Sequence, residues 1–216
     1  SNRGSVITVN SPGVTISGLR IDGTGNETRN ETAVGGPPER GSWDQNVKLG
    51  YGTGDAGITA TAAPGLHIED VQIETNASGV LLREGSDATF QGLTVQGAPN
   101  WQSGFMGIVG MESTVTVTDS RFLDGRDGIY LHRADGSIVR NSTFVGNRYG
   151  VHLMYTGDAL IADNVIRDQM YGGITVMTRP AGNAIVGNDI RDSPAGIQAS
   201  GTRTYIGYNT LVNNEL

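Results

Sequence analysis

The chain contains no cysteine, so its 216 residues can form neither a disulfide nor a thiolate metal site. It also has no cluster of lysine and arginine, and its formal net charge of -7 at pH 7 argues against a nucleic-acid partner. No apolar run approaches the roughly 20 residues that a membrane-spanning helix requires. Aromatic residues make up only 6% of the chain, and runs rich in Ala, Leu, Glu and Lys are missing. A strand-based protein with a thin core fits this composition better than a helical domain does.

Glycine is abundant, at 33 residues, and it marks a short repeat. Gly128, Gly150 and Gly173 each open a run of residues in which apolar side chains alternate with others. Equivalent positions recur about every 22 to 24 residues, a short period that with strand-like alternation is typical of stacked β-coils. The pattern therefore predicts an all-β fold, a right-handed parallel β-helix, with the hand taken from the general preference of parallel crossovers.

One apolar position per repeat gives the number of coils. It recurs eight times, which predicts eight coils and a parallel sheet along the rod; the column comprises Ile16, Ile68, Phe90, Val117, Ile138, Ile161, Ile185 and Ile206. Two segments interrupt the repeat, residues 24–56 with Trp43 and residues 97–106 with Trp101. We expect both to be lateral loops on one β-helix domain that spans residues 1–216.

Asparagine recurs in the last coils at a position that follows an apolar pair. Asparagine tolerates the left-handed backbone of a sharp corner, and stacked amides can hydrogen-bond from coil to coil. We therefore predict a structural corner ladder made of Asn141, Asn164, Asn188 and Asn209.

Both ends of the sequence interrupt the pattern that a complete domain would show. The sequence starts abruptly at Ser1 and stops in mid-repeat at Leu216. We expect a fragment of a longer protein that has lost a targeting segment and capping coils, and a periplasmic or extracellular location.

Strand alternation places four soft side chains in one column on the outside of the predicted sheet: Met111, His132, Met154 and Met177, with His152 beside them. Thioether and imidazole groups together suit Cu(I), so transient Cu(I) contact is one interpretation, with no tightly bound cofactor. A second is a docking surface for a partner, with contacts from Tyr130, Tyr155 and Arg133. A third is ordinary packing under a covering segment.

The segment GIYLHRADGSIVRNSTFVGNRYGVHLMYTGDALIADN, which begins at Gly128, resembles the NosD family, most clearly over residues 151–156. The resemblance implies a right-handed β-helix of the carbohydrate-binding and sugar-hydrolase repeat class. It also implies a periplasmic, non-catalytic role in assembling the copper-sulfur centre of nitrous oxide reductase. The implied partners are the subunits of an ABC transporter, a copper chaperone and the reductase. Within the matching segment the implied copper contacts are His132, His152 and Met154.

A carbohydrate-active enzyme or a carbohydrate-binding module is the alternative, because polysaccharide lyases and epimerases share this fold class. Histidine and tyrosine side chains near the column could act as acid and base; they are Tyr130, His132, Tyr149, His152 and Tyr155. The carboxylates Asp127, Asp135, Asp158 and Asp163 fall mostly at predicted turns, where aspartate has a backbone role. We therefore expect no catalytic residue.

Overall fold

The computed structural model describes residues 4–24, 56–97 and 106–215. Within these ranges the chain forms three parallel sheets of eight strands each, and successive coils contribute one strand to each sheet. About seven full turns of chain connect the first coil to the last, so the predicted all-β parallel solenoid is confirmed. In the same ranges no helix is long and apolar enough to cross a membrane.

The first sheet is the longest-stranded of the three and carries the predicted functional column. Every strand pairs in parallel with the equivalent strand of the next coil. Its strands are β1 (Ile7–Val9), β4 (Ala56–Thr61), β7 (Ser78–Arg83), β10 (Ile108–Met111), β13 (Asp127–His132), β16 (Tyr149–Met154), β19 (Gly172–Met177) and β22 (Ile197–Ala199).

The second sheet follows each first-sheet strand after a short corner. It contains the apolar column that recurs once in every coil. Its strands are β2 (Thr15–Ser17), β5 (Leu66–Glu69), β8 (Ala88–Gln91), β11 (Val115–Thr118), β14 (Ile138–Arg140), β17 (Leu160–Ala162), β20 (Ala184–Val186) and β23 (Tyr205–Gly207).

The third sheet closes each coil and returns the chain to the first sheet. Its strands are β3 (Arg20–Gly23), β6 (Gln72–Thr75), β9 (Thr94–Gln96), β12 (Arg121–Leu123), β15 (Thr143–Val145), β18 (Val165–Arg167), β21 (Asp189–Arg191) and β24 (Thr210–Val212).

The interior between the sheets is a stack of aliphatic side chains with a few aromatic rings. Phe122 and Phe144 from adjacent coils stack with ring centroids 5.1 Å apart, and neither is exposed. Apolar area removed from water stabilises a core by about 25 cal/mol per Å². Since each coil alone cannot bury its inner face, the stacking of neighbours supplies most of this term.

The repeat's glycine fills a place where no side chain fits. A Cβ added at Gly128 would lie 2.5 Å from Cδ1 of Phe144 and 2.6 Å from the carbonyl oxygen of Gly150. Gly150 meets the next coil in the same way, with the carbonyl oxygen of Gly173 at 2.7 Å. The sequence landmark of the repeat therefore has a steric cause: two stacked backbones meet a core side chain at this point.

The predicted apolar column is correct in seven coils and wrong by one residue in the other. Val117 pairs with Val139, and Val139 pairs with Ile161, so Val139 occupies the column in place of Ile138. Ile138 is half-buried, whereas Val139 is fully buried. The cores of the two predicted lateral loops, residues 25–55 and 98–105 with Trp43 and Trp101, lie outside the described residues.

Candidate functional site

Strand alternation on the first sheet separates two sets of side chains. Ile129 and Leu131 belong to the interior core, whereas Tyr130 and His132 lie on the outer face. On that face Met111 pairs with His132, His132 with Met154, and Met154 with Met177. We call these four residues the methionine–histidine column, and their register is the one that the sequence pattern predicts.

The column lies on the outer face of the sheet, but most of it is shielded from solvent. His132 is 0% exposed, Met154 3% and Met111 5%, while Met177 is half-buried. The column belongs to a second apolar cluster with Ala56, Leu81, Met106, Val109, Tyr130 and Tyr155. Alternation shows which side of a sheet a residue lies on, but parallel sheets are commonly covered on both sides. The interpretation of the column as packing therefore has direct support in its burial.

A buried ionic cluster lies next to the column, on the same outer face. The carboxylate of Asp127 accepts hydrogen bonds from Nε of Arg148 to Oδ1 and from Nη2 of Arg148 to Oδ2, each at 2.8 Å. Nδ1 of His152 lies 3.0 Å from Oδ2 of the same carboxylate. We call Asp127, Arg148 and His152 the Asp127 cluster. A bidentate arginine and an imidazole on one carboxylate make a strong, geometrically specific arrangement.

The electrostatics of the cluster favour an ionised carboxylate. Burial by itself raises the pKa of the Asp127 carboxyl, but Arg148, His152 and Arg126 together outweigh burial and hold this pKa below its ordinary value. Burial raises the pKa of the Tyr149 phenol, with the Asp127 charge adding to the effect and Arg148 opposing it. Tyr149 also receives the Arg148 guanidinium over its ring, 4.8 Å from the centroid.

The two ring nitrogens of His152 differ, since Nδ1 contacts Asp127 and Nε2 has no hydrogen bond to the described residues. Its side chain is buried, and Nε2 has no hydrogen-bond partner among the described residues. The rings of Tyr130 and Tyr149 each lie with their centroid 5.0 Å from that of His152. An unpaired buried nitrogen is costly unless something else binds it. Nε2 is therefore a buried atom of this face to which the described residues give no hydrogen-bond partner.

The second histidine has a different environment. Nδ1 of His132 lies 3.3 Å from the hydroxyl oxygen of Tyr130, and the ring of Tyr155 is 5.4 Å away between centroids. Arg133, which is exposed, places its guanidinium 5.1 Å from the centroid of the half-buried Tyr155. Tyr155 and Arg133 thus form the accessible margin of the face, whereas Tyr130 is fully buried. That burial contradicts the prediction that Tyr130 contacts a partner directly.

The atoms on this face that could bind a metal ion are thioether sulfurs and imidazole nitrogens, together with the carboxylate of Asp127. No group of three His, Cys, Asp or Glu side chains capable of holding a metal occurs in residues 4–24, 56–97 and 106–215. The column offers thioethers and imidazoles, which suit Cu(I). Acid–base chemistry requires the substrate to come within hydrogen-bond distance, and Tyr130, His132 and His152 are too buried for a polymer to approach without a rearrangement.

Comparison with known proteins locates the chain in a family. Residues 56–216 match the family model described as "Right handed beta helix region". The chain belongs to the right-handed β-helix family. The predicted hand is thereby confirmed, and the family description concerns architecture only, since one fold hosts many functions.

A solved structure is also similar to this chain. It is PfbA, a surface adhesin of Streptococcus pneumoniae, at 9% sequence identity and a TM-score of 0.37, covering 99% of this chain and 72% of that chain. No curated protein matches the chain.

The asparagine ladder of the β-helix exists, with one correction. The backbone N–H of Asn164 donates to Oδ1 of Asn188, and that of Asn188 donates to Oδ1 of Asn209. The residue that donates to Asn164 is Ser142, not Asn141. Asn141 is exposed and occupies the preceding left-handed corner, with a φ of 51°. A second ladder that the sequence reasoning missed joins Asn147, Gln169, Ser193 and Asn214.

Sequence reasoning also missed the Asp127 cluster. The strand pattern predicts a turn at Asp127 and indicates no role for Arg148. The available signal was a pair of similar tripeptides before consecutive strand runs, Arg126-Asp127-Gly128 and Arg148-Tyr149-Gly150, which put two arginines in equivalent positions. The pairing of Asp127 with Tyr149 shows that both tripeptides enter the first sheet.

Proposed function

We propose that this β-helix is a non-catalytic, exported accessory protein of the NosD kind that contacts Cu(I) during assembly of the copper-sulfur centre of nitrous oxide reductase. Copper is cargo in this proposal and not a resident cofactor. The proposed partners are the subunits of an ABC transporter, a copper chaperone and the reductase.

The observation that carries the proposal is the paired register of the methionine–histidine column. Met111, His132, Met154 and Met177 lie on four consecutive strands that are about 4.8 Å apart. Three of the five methionines in the chain therefore share one line with an imidazole. The segment that resembles NosD contributes the two central members of this line and His152 beside them.

Burial favours an ion over a larger ligand. The centre of the face, at His132 and Met154, is buried. Exposure increases toward its margin, where Met177 and Tyr155 are half-buried and Arg133 is exposed. A single soft ion needs only two or three donor atoms, whereas a polysaccharide needs an open groove. The accessible margin at Arg133 and Tyr155 is where we place the docking contact of a protein that delivers or receives the ion.

The test is an anaerobic titration of the 216-residue chain with Cu(I) against a competing chromophoric chelator, with Zn(II) as the metal control. The key variant is the triple substitution Met111→Leu, Met154→Leu and Met177→Leu. Leucine conserves the volume of methionine and costs little packing energy, so it removes the sulfur atoms while preserving the fold. The matched control is Met170→Leu, because Met170 is 40% exposed and lies outside the column.

We expect saturable Cu(I) binding by the parent and by the Met170→Leu variant, and loss of that binding in the triple variant. The double variant His132→Ala/Met154→Ala should lose binding as well, while His67→Ala, which removes a histidine of the second sheet, should not. Equal Cu(I) affinity in the triple variant and the parent would refute the role of the column.

A carbohydrate-active enzyme is the second candidate, and the Asp127 cluster is the observation that favours it. A carboxylate hydrogen-bonded to an imidazole whose other nitrogen has no hydrogen-bond partner in the described part of the chain resembles the base of an acid–base pair. The test is cleavage or epimerisation of uronate polymers by the parent and by His152→Gln. Turnover that His152→Gln abolishes would favour this candidate over the accessory role.

A further inference from the structure

The Asp127 cluster contains an imidazole whose proton position follows from its partner. An ionised carboxylate can only accept hydrogen bonds. Arg148 already donates to both oxygens of Asp127, and Nδ1 of His152 lies 3.0 Å from Oδ2. Nδ1 must therefore carry the hydrogen in this contact. In a neutral imidazole only one nitrogen is protonated, so Nε2 is left with a free lone pair.

We propose that Asp127, held in place by Arg148, is a positioning residue that fixes His152 as the Nδ1–H tautomer and makes Nε2 the ligand atom for a soft cation. The identity of the cation rests on the proposed function, whereas the tautomer does not. Metal-binding histidines generally donate their second ring N–H to a carboxylate or carbonyl, which orients the ring and raises the basicity of the ligand nitrogen.

The surroundings of His152 fit that role. His152 pairs with Tyr130 on the neighbouring strand, and Met154, two residues on, pairs with His132. Two imidazoles and one thioether thus lie on the same face of adjacent strands β13 and β16. Nε2 is buried without a hydrogen-bond partner among the described residues, so a bound ion would satisfy an atom that the described protein leaves unsatisfied.

The other two histidines provide internal comparisons. One contact of His132 is with the Tyr130 hydroxyl, which can donate or accept, so this contact does not fix a tautomer. His67 is partly exposed, and its Nε2 lies 3.7 Å from Oε2 of Glu69, too far for a hydrogen bond that would hold a proton. Because the chain contains three histidines in total, their signals can be resolved and assigned one by one.

The experiment is long-range ¹H–¹⁵N correlation spectroscopy of the metal-free, ¹⁵N-histidine-labelled chain at about pH 8, where an ordinary imidazole with a pKa of about 6.5 is neutral. Single His→Gln variants assign the three rings. We expect the Nδ1–H pattern for His152 and its loss or mixing in Asp127→Asn, a variant of nearly the same shape. An Nε2–H pattern for His152 in the parent chain overturns the inference without requiring any variant to fold.

The second readout is Cu(I) affinity in the chelator competition. Changing a second-layer partner of a metal ligand typically lowers affinity 10- to 100-fold, and we expect a loss of about that size for Asp127→Asn, folded as judged by circular dichroism. Unchanged affinity in this variant overturns the step from tautomer to ligand. If the parent chain does not bind Cu(I), the proposed function fails, and the tautomer measurement still decides whether Asp127 positions His152.

Discussion

Replacing Asn188 by alanine should destabilise the β-helix strongly, because the side chain lies at the middle of the asparagine ladder. Its Nδ2 donates to the carbonyl oxygen of Ile161 at 2.9 Å and to Oδ1 of Asn209 at 2.9 Å. Its Oδ1 accepts from the backbone N–H of Asn164 at 3.1 Å. Asn188 is 0% exposed, so water does not take over these contacts in the folded chain.

The magnitude follows from the groups that alanine leaves behind. Of the three backbone groups that bond the Asn188 side chain, the C=O of Val186 keeps the N–H of Asp163 as a second donor. The N–H of Asn164 and the C=O of Ile161 lose the contact that the side chain supplied. A buried polar group without a partner costs about 1–3 kcal/mol, so the two together cost about 2–6 kcal/mol. That loss is a large part of the 5–15 kcal/mol that typically separates folded from unfolded domains.

The assay is equilibrium unfolding in urea followed by far-ultraviolet circular dichroism, with the free energy taken from the midpoint at an unchanged slope. The control is Asn141→Gly. Asn141 is exposed and left-handed, a conformation that glycine adopts freely, so we expect a change within about 0.5 kcal/mol. A loss below about 1 kcal/mol for Asn188→Ala, or an equal loss for Asn141→Gly, would refute both the ladder energetics and its register.

Two further predictions concern the glycine column and the Asp127 cluster. Gly128→Ala should lower stability by about 1–3 kcal/mol, measured in the same urea assay, because the new methyl group would lie 2.5 Å from Cδ1 of Phe144; a neutral result would contradict the close approach. Since the folded pKa of Asp127 lies below its ordinary value of about 3.9, the cluster contributes stability above that pH, and this is lost as pH falls through the folded pKa. Asp127→Asn should therefore be less stable than the parent at pH 7 and should lose less stability than the parent on acidification below about pH 4; a parallel pH profile in the two proteins would contradict the pairing of Asp127 with its basic neighbours Arg148, His152 and Arg126.

The overall fold is predictable from the sequence because every coil repeats the same inward-facing positions. Ile16 pairs with Ile68 and Ile21 with Ile73, as their shared alternation predicts, even though residues 25–55 intervene. The thin interior allows only apolar side chains at these places, so each coil carries the same signal.

The one-residue error in the coil of Asn141 has an identifiable cause. The left-handed corner accepts several residue types: it is Asn141 in one coil, Asp163 in the next and Gly187 after that, with φ values of 51°, 55° and 70°. Using asparagine as the landmark aligned Asn141 with the ladder residue Asn164, although the ladder begins one position later. The spacing to the next core residue indicates the error, because Ile138 precedes Phe144 by six positions whereas Ile161 precedes Ile166 by five.

The candidate site was predictable only in its register. Simple alternation breaks at Gly128: Asp127 pairs with Tyr149 and Ile129 pairs with Val151, yet Asp127 contacts the outer-face His152 while Ile129 lies in the core. The neighbouring residues Gly128 and Ile129 therefore both face the core. A strand that alternates strictly between its two faces cannot place two successive residues on the same side. Burial of the outer face is a tertiary property, and the strand pattern of a single coil contains no information about it.

Stability alone does not account for the Asp127 cluster. Replacing a buried ion pair by apolar residues is often neutral or stabilising. A buried nitrogen without a partner, as Nε2 of His152 is among the described residues, costs roughly a further 1–3 kcal/mol. In the described residues, the interior of this β-helix is built from apolar side chains, and its corners carry hydrogen-bonded ladders such as that of Asn164 and Asn188. A position that departs from the local rule at an energetic cost is where function is expected. That reasoning favours the buried group of His152, His132 and Met154 as the functional site that we propose.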